Sequence, residues 1–260
     1  MKLTQKLNLL FTIPLFFLFL NCSVKQNSKT CVHGTTSIIP PVASFVKILI
    51  HNEAGKIKST GSGIIVKQTK KYTIVLTAKH LCVKDMSIGA EFTNVSVLDY
   101  HEIKYSSIVV KVDEKNDLCL IATIATKINA RAVAIAKTKP GIGSRVYNLA
   151  APLGIFNEEM VLIFEGFYSG DRTKEVTHSV YTFPGAGGSS GSAVFNEDFE
   201  VLGIVSLGVV RFNNLMIAVD YNSVYNFTSN FSDIEILARE QIRLKNLASI
   251  DEMLRFLDSK

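Results

Sequence analysis

Three short stretches of the chain hold residue types that together suit nucleophilic catalysis. Thr77-Ala78-Lys79-His80 ends an apolar run. Asn116-Asp117-Leu118 opens another, and Gly187-Gly188-Ser189-Ser190-Gly191-Ser192-Ala193 opens a third. Their order is His, Asp, Ser. A serine hydroxyl is a poor nucleophile until a base takes its proton. A neutral imidazole suits that task near neutral pH. A carboxylate beside it holds its tautomer and stabilises the imidazolium. Glycines around the serine let backbone N–H groups turn toward the negative oxygen that develops in the transition state.

Each residue also has a plainer role. Alone, His80 reads more simply as a core-edge histidine, and its Thr-Ala-x-His setting is what favours a base. His33, His51, His101 and His178 lack that setting and are expected on the surface or in the sheets. Asp113 is the rival of Asp117. It precedes Glu114-Lys115-Asn116 and is expected to face water, whereas Asp117 abuts the apolar run 118–122, where a buried acid needs a partner. Ser189 and Ser192 flank Ser190, but only Ser190 has a Gly-x-Ser-Gly frame. The Gly-rich run has no following lysine or helix-like sequence, which argues against a phosphate cradle. No C-x-x-C or H-x-x-x-H pair supports a zinc site, and no cofactor is called for.

The elements that must carry these residues are short runs rich in Val, Ile, Phe and Tyr, separated by turns. Residues 45–50, 63–66, 72–77, 92–98, 105–112 and 118–122 make a first group. Residues 144–150, 159–168, 178–183, 192–195, 201–206 and 214–219 make a second. Between them, 123–143 contains Pro140-Gly141 and Gly143. Helix-length periodicity is missing until the end, so the fold class is all-β, barrel or sandwich. Residues 221–228 suit a short helix and 233–258 a longer one, expected to pack on the β domain.

Composition excludes several classes. In 260 residues, 47% are hydrophobic and 20% charged, unlike a disordered or collagen-like chain. The net charge of +5 is scattered, so nucleic acid is not an expected partner. Residues 1–22 read as a secretory leader: Lys2 and Lys6, then a mostly apolar stretch from Leu7 to Leu20. That stretch is short for a membrane span of about 20 residues, although an N-terminal anchor is the competing reading. The end of the stretch, through Asn21-Cys22, resembles a bacterial lipoprotein signal. The localisation expected is secreted or periplasmic, with membrane anchoring through lipidated Cys22 as the alternative. A Ser/Thr-rich tether, 23–41, follows. Export would place Cys31, Cys82 and Cys119 in an oxidising compartment.

The chain resembles the trypsin-like (chymotrypsin-fold) serine endopeptidases of bacterial and phage type. The resemblance rests on Gly61-Ser62-Gly63, Leu76-Thr77-Ala78-Lys79-His80, Asn116-Asp117-Leu118, Ala151-Pro152-Leu153-Gly154 and Gly188-Ser189-Ser190-Gly191-Ser192, in that order, over about 42–228. It implies two six-stranded antiparallel β-barrels, about 42–122 and 144–220; the helix read from periodicity makes 229–260 a C-terminal helical extension beyond it. The resemblance implies a catalytic triad of His80, Asp117 and Ser190, an oxyanion hole from the N–H groups of Gly188 and Ser190, and a protein or peptide substrate. Ser206, Leu207 and Gly208 would pair with the substrate backbone and wall the specificity pocket, opposite Pro184 and Gly185.

With His80 beside Asp117, Cys82 and Cys119 would come close enough for a disulfide; two buried free thiols are the alternative. Lys79 replaces a usual small residue and fits if it points to solvent. No acid stands at the pocket base, and Val205, Leu207 and Val209 hint at an apolar or small pocket. The competing function is a catalytically silent barrel of the same fold, or a structural lipoprotein that recruits a partner.

Overall fold

The computed structural model describes residues 40–69, 71–83, 93–123, 128–209, 212, 214–234 and 236–243. The leader, Cys22, Cys31, His33, the tether to residue 39 and the end of the C-terminal helix lie outside these.

Twelve strands close into two antiparallel barrels of six. The first holds β1 (Phe45–His51), β2 (Ile57–Gln68), β3 (Thr73–Ala78), β4 (Asn94–Leu98), β5 (Lys104–Asp113) and β6 (Leu118–Thr123). Around the barrel their order is β1-β2-β3-β6-β5-β4. The second holds β7 (Arg145–Ala150), β8 (Leu162–Thr173), β9 (Thr177–Tyr181), β10 (Ala193–Phe195), β11 (Val201–Gly208) and β12 (Met216–Val219), ordered β10-β11-β12-β9-β8-β7. Every run expected as a strand holds one, although β2 starts at Ile57 rather than 63, β8 runs Leu162–Thr173 rather than 159–168, and β12 starts at Met216 rather than 214.

Side-chain alternation explains why the central strands read as unbroken apolar runs. Strand residues point to opposite faces in turn. In β6, Cys119 and Ile121 fill barrel 1, while Leu118, Leu120 and Ala122 join a second core that also holds Leu149, Phe195 and Val219 of barrel 2. In β10, Val194 fills barrel 2 while Ala193 and Phe195 face that shared core. A strand with apolar packing on both faces has no polar side to show.

The shared core is extended by a helix. In α1 (Tyr221–Thr228), Asp220 caps the start by accepting from the Ser223 N–H at 2.8 Å. Val224 and Phe227 are buried in the shared core, together with Ile234 and Ala238 of the helical residues that follow. The Lys111 ammonium of β5 donates to the Phe227 carbonyl at 2.9 Å and stands 4.5 Å from its ring centroid. These helical residues pack on the shared core as far as Ile242, and the rest of the segment expected as helix, from 244, lies outside the described residues.

Candidate active site

His80 lies in a single 3-10 turn, Lys79–Leu81, directly after β3. Asp117 ends the hairpin turn between β5 and β6, next to β3 in the sheet. That pairing puts Ala78 opposite Leu118, so the two residues leave the barrel at the same end. The Asp117 carboxylate accepts from His80 Nδ1 at 2.9 Å through Oδ2 and from the His80 backbone N–H at 3.0 Å through Oδ1. The Lys79 N–H donates to the Asp117 carbonyl at 3.0 Å. Asp117 has a left-handed backbone, φ 53°, a conformation that Asp adopts more readily than most residues.

A third donor reaches Asp117 from the other barrel. The Ser206 hydroxyl donates to Oδ2. The register of β11 against β12 slips between Val205 and Leu207, leaving Ser206 as the extra residue of a bulge. Bulges re-aim side chains, and here the one at Ser206 turns its hydroxyl to Asp117. Burial alone would raise the Asp117 carboxyl. The His80 ring, the Ser206 hydroxyl and the His80 N–H outweigh it and hold the carboxyl below its ordinary range.

Asp113, the rival acid, does something else. Its Oδ1 accepts from the N–H groups of Lys115 and Asn116, both at 3.0 Å, and its Oδ2 from the Asn116 side chain at 2.7 Å. It shapes the turn that presents Asp117. It is half-buried rather than facing water, because those donors fold over it.

Lys79 also departs from expectation. It is buried, and its ammonium meets Glu114 Oε2 at 2.6 Å. Its backbone is tied to Asp117, which turns the side chain along the β5–β6 turn rather than into water. Beneath the pair, Cys82 and Cys119 form a disulfide with Cα atoms 6.6 Å apart.

Ser190 sits on the loop entering β10. Gly188 and Gly191 on either side have φ of 97° and 82°, which side-chain-bearing residues rarely adopt. The loop is also pinned where no side chain fits. A methyl group on Gly191 would overlap Thr77 Oγ1 and the Ser62 carbonyl, and would lie 3.1 Å from the Ala78 N. Gly191 therefore presses the Ser190 loop onto the end of β3, which leads into His80. The Ser62 N–H donates to the Ser190 carbonyl at 2.8 Å, and the Ser62 hydroxyl to the Gly188 carbonyl at 2.8 Å. The Leu153 N–H holds the Gly187 carbonyl at 2.6 Å.

Ser189 and Ser192 are buried. The Ser189 hydroxyl accepts from the Ala186 N–H at 3.2 Å, and that of Ser192 from the Asn148 side chain at 2.8 Å. Ser190 is half-buried, and its hydroxyl has no hydrogen-bond partner among the described residues. A serine–histidine hydrogen bond that tightens only with substrate is common in such sites.

The other described histidines take structural places. His51 bonds Ser96 and the Gly55 carbonyl inside barrel 1, His101 pairs with Glu159, and His178 lies in β9. Two contributors lie beyond the sequence reading, which marks Ser62 only as part of its Gly-Ser-Gly motif and Ser206 only for its backbone. The motif is the signal for Ser62, whereas nothing in the local sequence announces the bulge at Ser206. Val205 and Leu207, two of the residues that hint at an apolar or small pocket, are not placed alike. Val205 is buried in barrel 2 while Leu207 is 57% exposed, because they fall on opposite faces of β11.

No curated protein matches the chain in sequence. Among solved structures, the Rv3671c protease of M. tuberculosis in its active form superposes with a TM-score of 0.59 at 16% identity, covering 73% of this chain and 81% of that one. A serine endoprotease from Yersinia pestis superposes with a TM-score of 0.58 at 22% identity, covering 77% of this chain and 65% of that one. These likenesses show the fold. The trypsin-like peptidase domain family matches residues 61–204, from the Gly-Ser-Gly motif in β2 through the Ser190 loop into β11, and the chain belongs to that family.

Proposed function

We propose that the protein is an exported serine endopeptidase acting through Ser190, His80 and Asp117. The observation that carries this reading is the His80 Nδ1–Asp117 hydrogen bond, at the barrel end against which Gly191 presses the Ser190 loop. An ionised Asp117 keeps the proton on Nδ1 and leaves Nε2 to accept one. His80 then takes the Ser190 proton as Oγ adds to the carbonyl carbon of the peptide bond. The N–H groups of Gly188 and Ser190 receive the charge on the carbonyl oxygen. His80 passes its proton to the leaving amine, and an acyl group remains on Ser190. Water repeats the sequence and releases the acid. The backbone at 206–208 takes the substrate as an added antiparallel strand.

Export is supported by the leader-like residues 1–22 and by the Cys82–Cys119 disulfide, a bond that persists in oxidising compartments. Anchoring through Cys22 is the membrane-bound form of the same proposal. A fluorophosphonate probe should label Ser190, and casein should be cleaved. Label and cleavage should both vanish in Ser190→Ala. Labelling that survives that change would place the nucleophile elsewhere.

A further inference from the structure

For an endopeptidase of the kind proposed, the side chain before the cleaved bond enters between Pro184-Gly185 and residues 206–208, and the role assigned to Met216 rests on that reading. Each of these stretches carries a glycine toward the gap, Gly185 on one side and Gly208 on the other. Met216 of β12 lies against both. A methyl group on Gly185 would stand 2.5 Å from Met216 Sδ and 2.8 Å from its Cε, and one on Gly208 would stand 3.2 Å from the same Cε. Gly208 and Met216 are also opposite one another across β11 and β12. Room that two absent side chains would leave is taken up by one thioether. Met216 is only 2% exposed and packs in the barrel 2 core with Tyr181, Phe183 and Val205.

We infer that Met216 is the specificity-determining residue of this site and restricts the residue before the cleaved bond to Gly, Ala or Ser. A longer apolar side chain finds the space already filled. A charged one would be buried among Met216, Tyr181, Phe183 and Val205, none of which carries an opposite charge to pair with it. Shortening Met216 opens the pocket from its base.

The test is a peptide series that differs only in the residue before the cleaved bond, Gly, Ala, Val, Leu, Phe or Lys. The wild type should favour Ala over Leu and Phe by at least about 10-fold in kcat/KM, the discrimination that a few methylenes carry in a packed pocket. Met216→Ala should raise the Leu and Phe peptides by about 10-fold or more and leave the Ala peptide within about 3-fold. Met216→Val removes less of a buried side chain. It should give an intermediate profile, and it serves if Met216→Ala does not fold. A wild type that cuts after Phe as fast as after Ala overturns the proposal. So does a folded Met216 variant with an unchanged profile. Fluorophosphonate labelling of each preparation separates the two levels. Ser190 labelled with the wrong profile rejects the role of Met216 alone. No labelling and no cleavage of any peptide rejects the protease reading and Met216's role with it.

Discussion

His80 and Asp117, at the end of barrel 1, are held through their side chains, whereas the Ser190 loop of barrel 2 is held through its backbone. The Cys82–Cys119 disulfide lies under the first pair, and the Asp117 carboxylate gathers three donors. Around Ser190 the loop is set by Gly188 and Gly191, and by its own carbonyls at Gly187, Gly188 and Ser190, which accept from Leu153 and Ser62. The difference follows from what each half supplies. In the proposed function a base and its orienter act with side-chain atoms, so their rotamers must be set. Oxyanion donors are backbone N–H groups, so close approach and positive φ matter instead. The barrels also exchange one serine each. Ser62 of barrel 1 grips the Gly188 carbonyl, and Ser206 of barrel 2 grips Asp117.

The largest effect should come from Asp117→Asn, which keeps the backbone conformation and shape but reverses the hydrogen bond to His80. In Ser-His-Asp enzymes such a change costs about 10⁴ in kcat. Asp113→Asn is the control. Its Oδ1 still accepts from the Lys115 and Asn116 N–H groups in the amide, and only the bond from the Asn116 side chain is lost, so the turn should hold and kcat/KM should stay within about 2-fold. If Asp113→Asn is the damaging change, the pairing of His80 with Asp117 is not the working one.

Removing the disulfide as Cys82→Ser with Cys119→Ser should come next. It closes a separation of 37 residues, which corresponds to about 4 kcal/mol on a chain-entropy estimate. Urea unfolding should show that loss, while kcat of the folded fraction should fall much less. A collapse of kcat in fully folded protein would mean that the disulfide sets catalytic geometry directly.

Gly188→Ala probes the backbone half. A methyl there would lie 2.5 Å from the Ala151 carbonyl, so the loop must shift. Loss of one oxyanion donor costs about 10²–10³ in kcat. The expected pattern is that loss with KM little changed and the far-ultraviolet spectrum preserved. Activity that falls only in step with unfolding would make Gly188 a folding residue alone.

Ser206→Ala should have the smallest effect, read in acid. Asp117 and Asp171 both sit below the ordinary carboxylate range in the fold. For each, burial works against the shift, and hydrogen bonds overcome it, from His80 and Ser206 to Asp117 and from Lys139, Tyr168 and Ser179 to Asp171. A depressed folded pKa stabilises the protein above the unfolded pKa, near 3.8 here, and that stability is lost as pH falls through the folded value. Removing the Ser206 hydroxyl lets the Asp117 carboxyl rise, so acid unfolding should begin at a higher pH. An unmoved acid midpoint would mean that Ser206 does not stabilise the ionised Asp117.

The twelve strands were legible in sequence because apolar runs and turn residues are local signals, and long-range packing only had to agree with them. That Asp117 rather than Asp113 stands beside His80 was legible for the same reason, since only Asp117 leads directly into a buried strand. The cysteine pairing came through the family resemblance and the matched offsets of Cys82 from His80 and Cys119 from Asp117.

What tertiary structure decided is what depends on register and approach. The buried Lys79 could not be read locally, because its partner Glu114 is brought near by the β3–β6–β5 pairing. The aim of Ser206 depends on a one-residue slip between β11 and β12. Met216 is unremarkable in its own strand and acquires meaning only opposite Gly185 and Gly208. Sequence by itself determined which residues could do chemistry and which segments would be strands, since both are written in neighbouring residues. Only the closed barrels decided which atoms meet, because strand register and backbone approach are set by contacts between segments far apart in the chain.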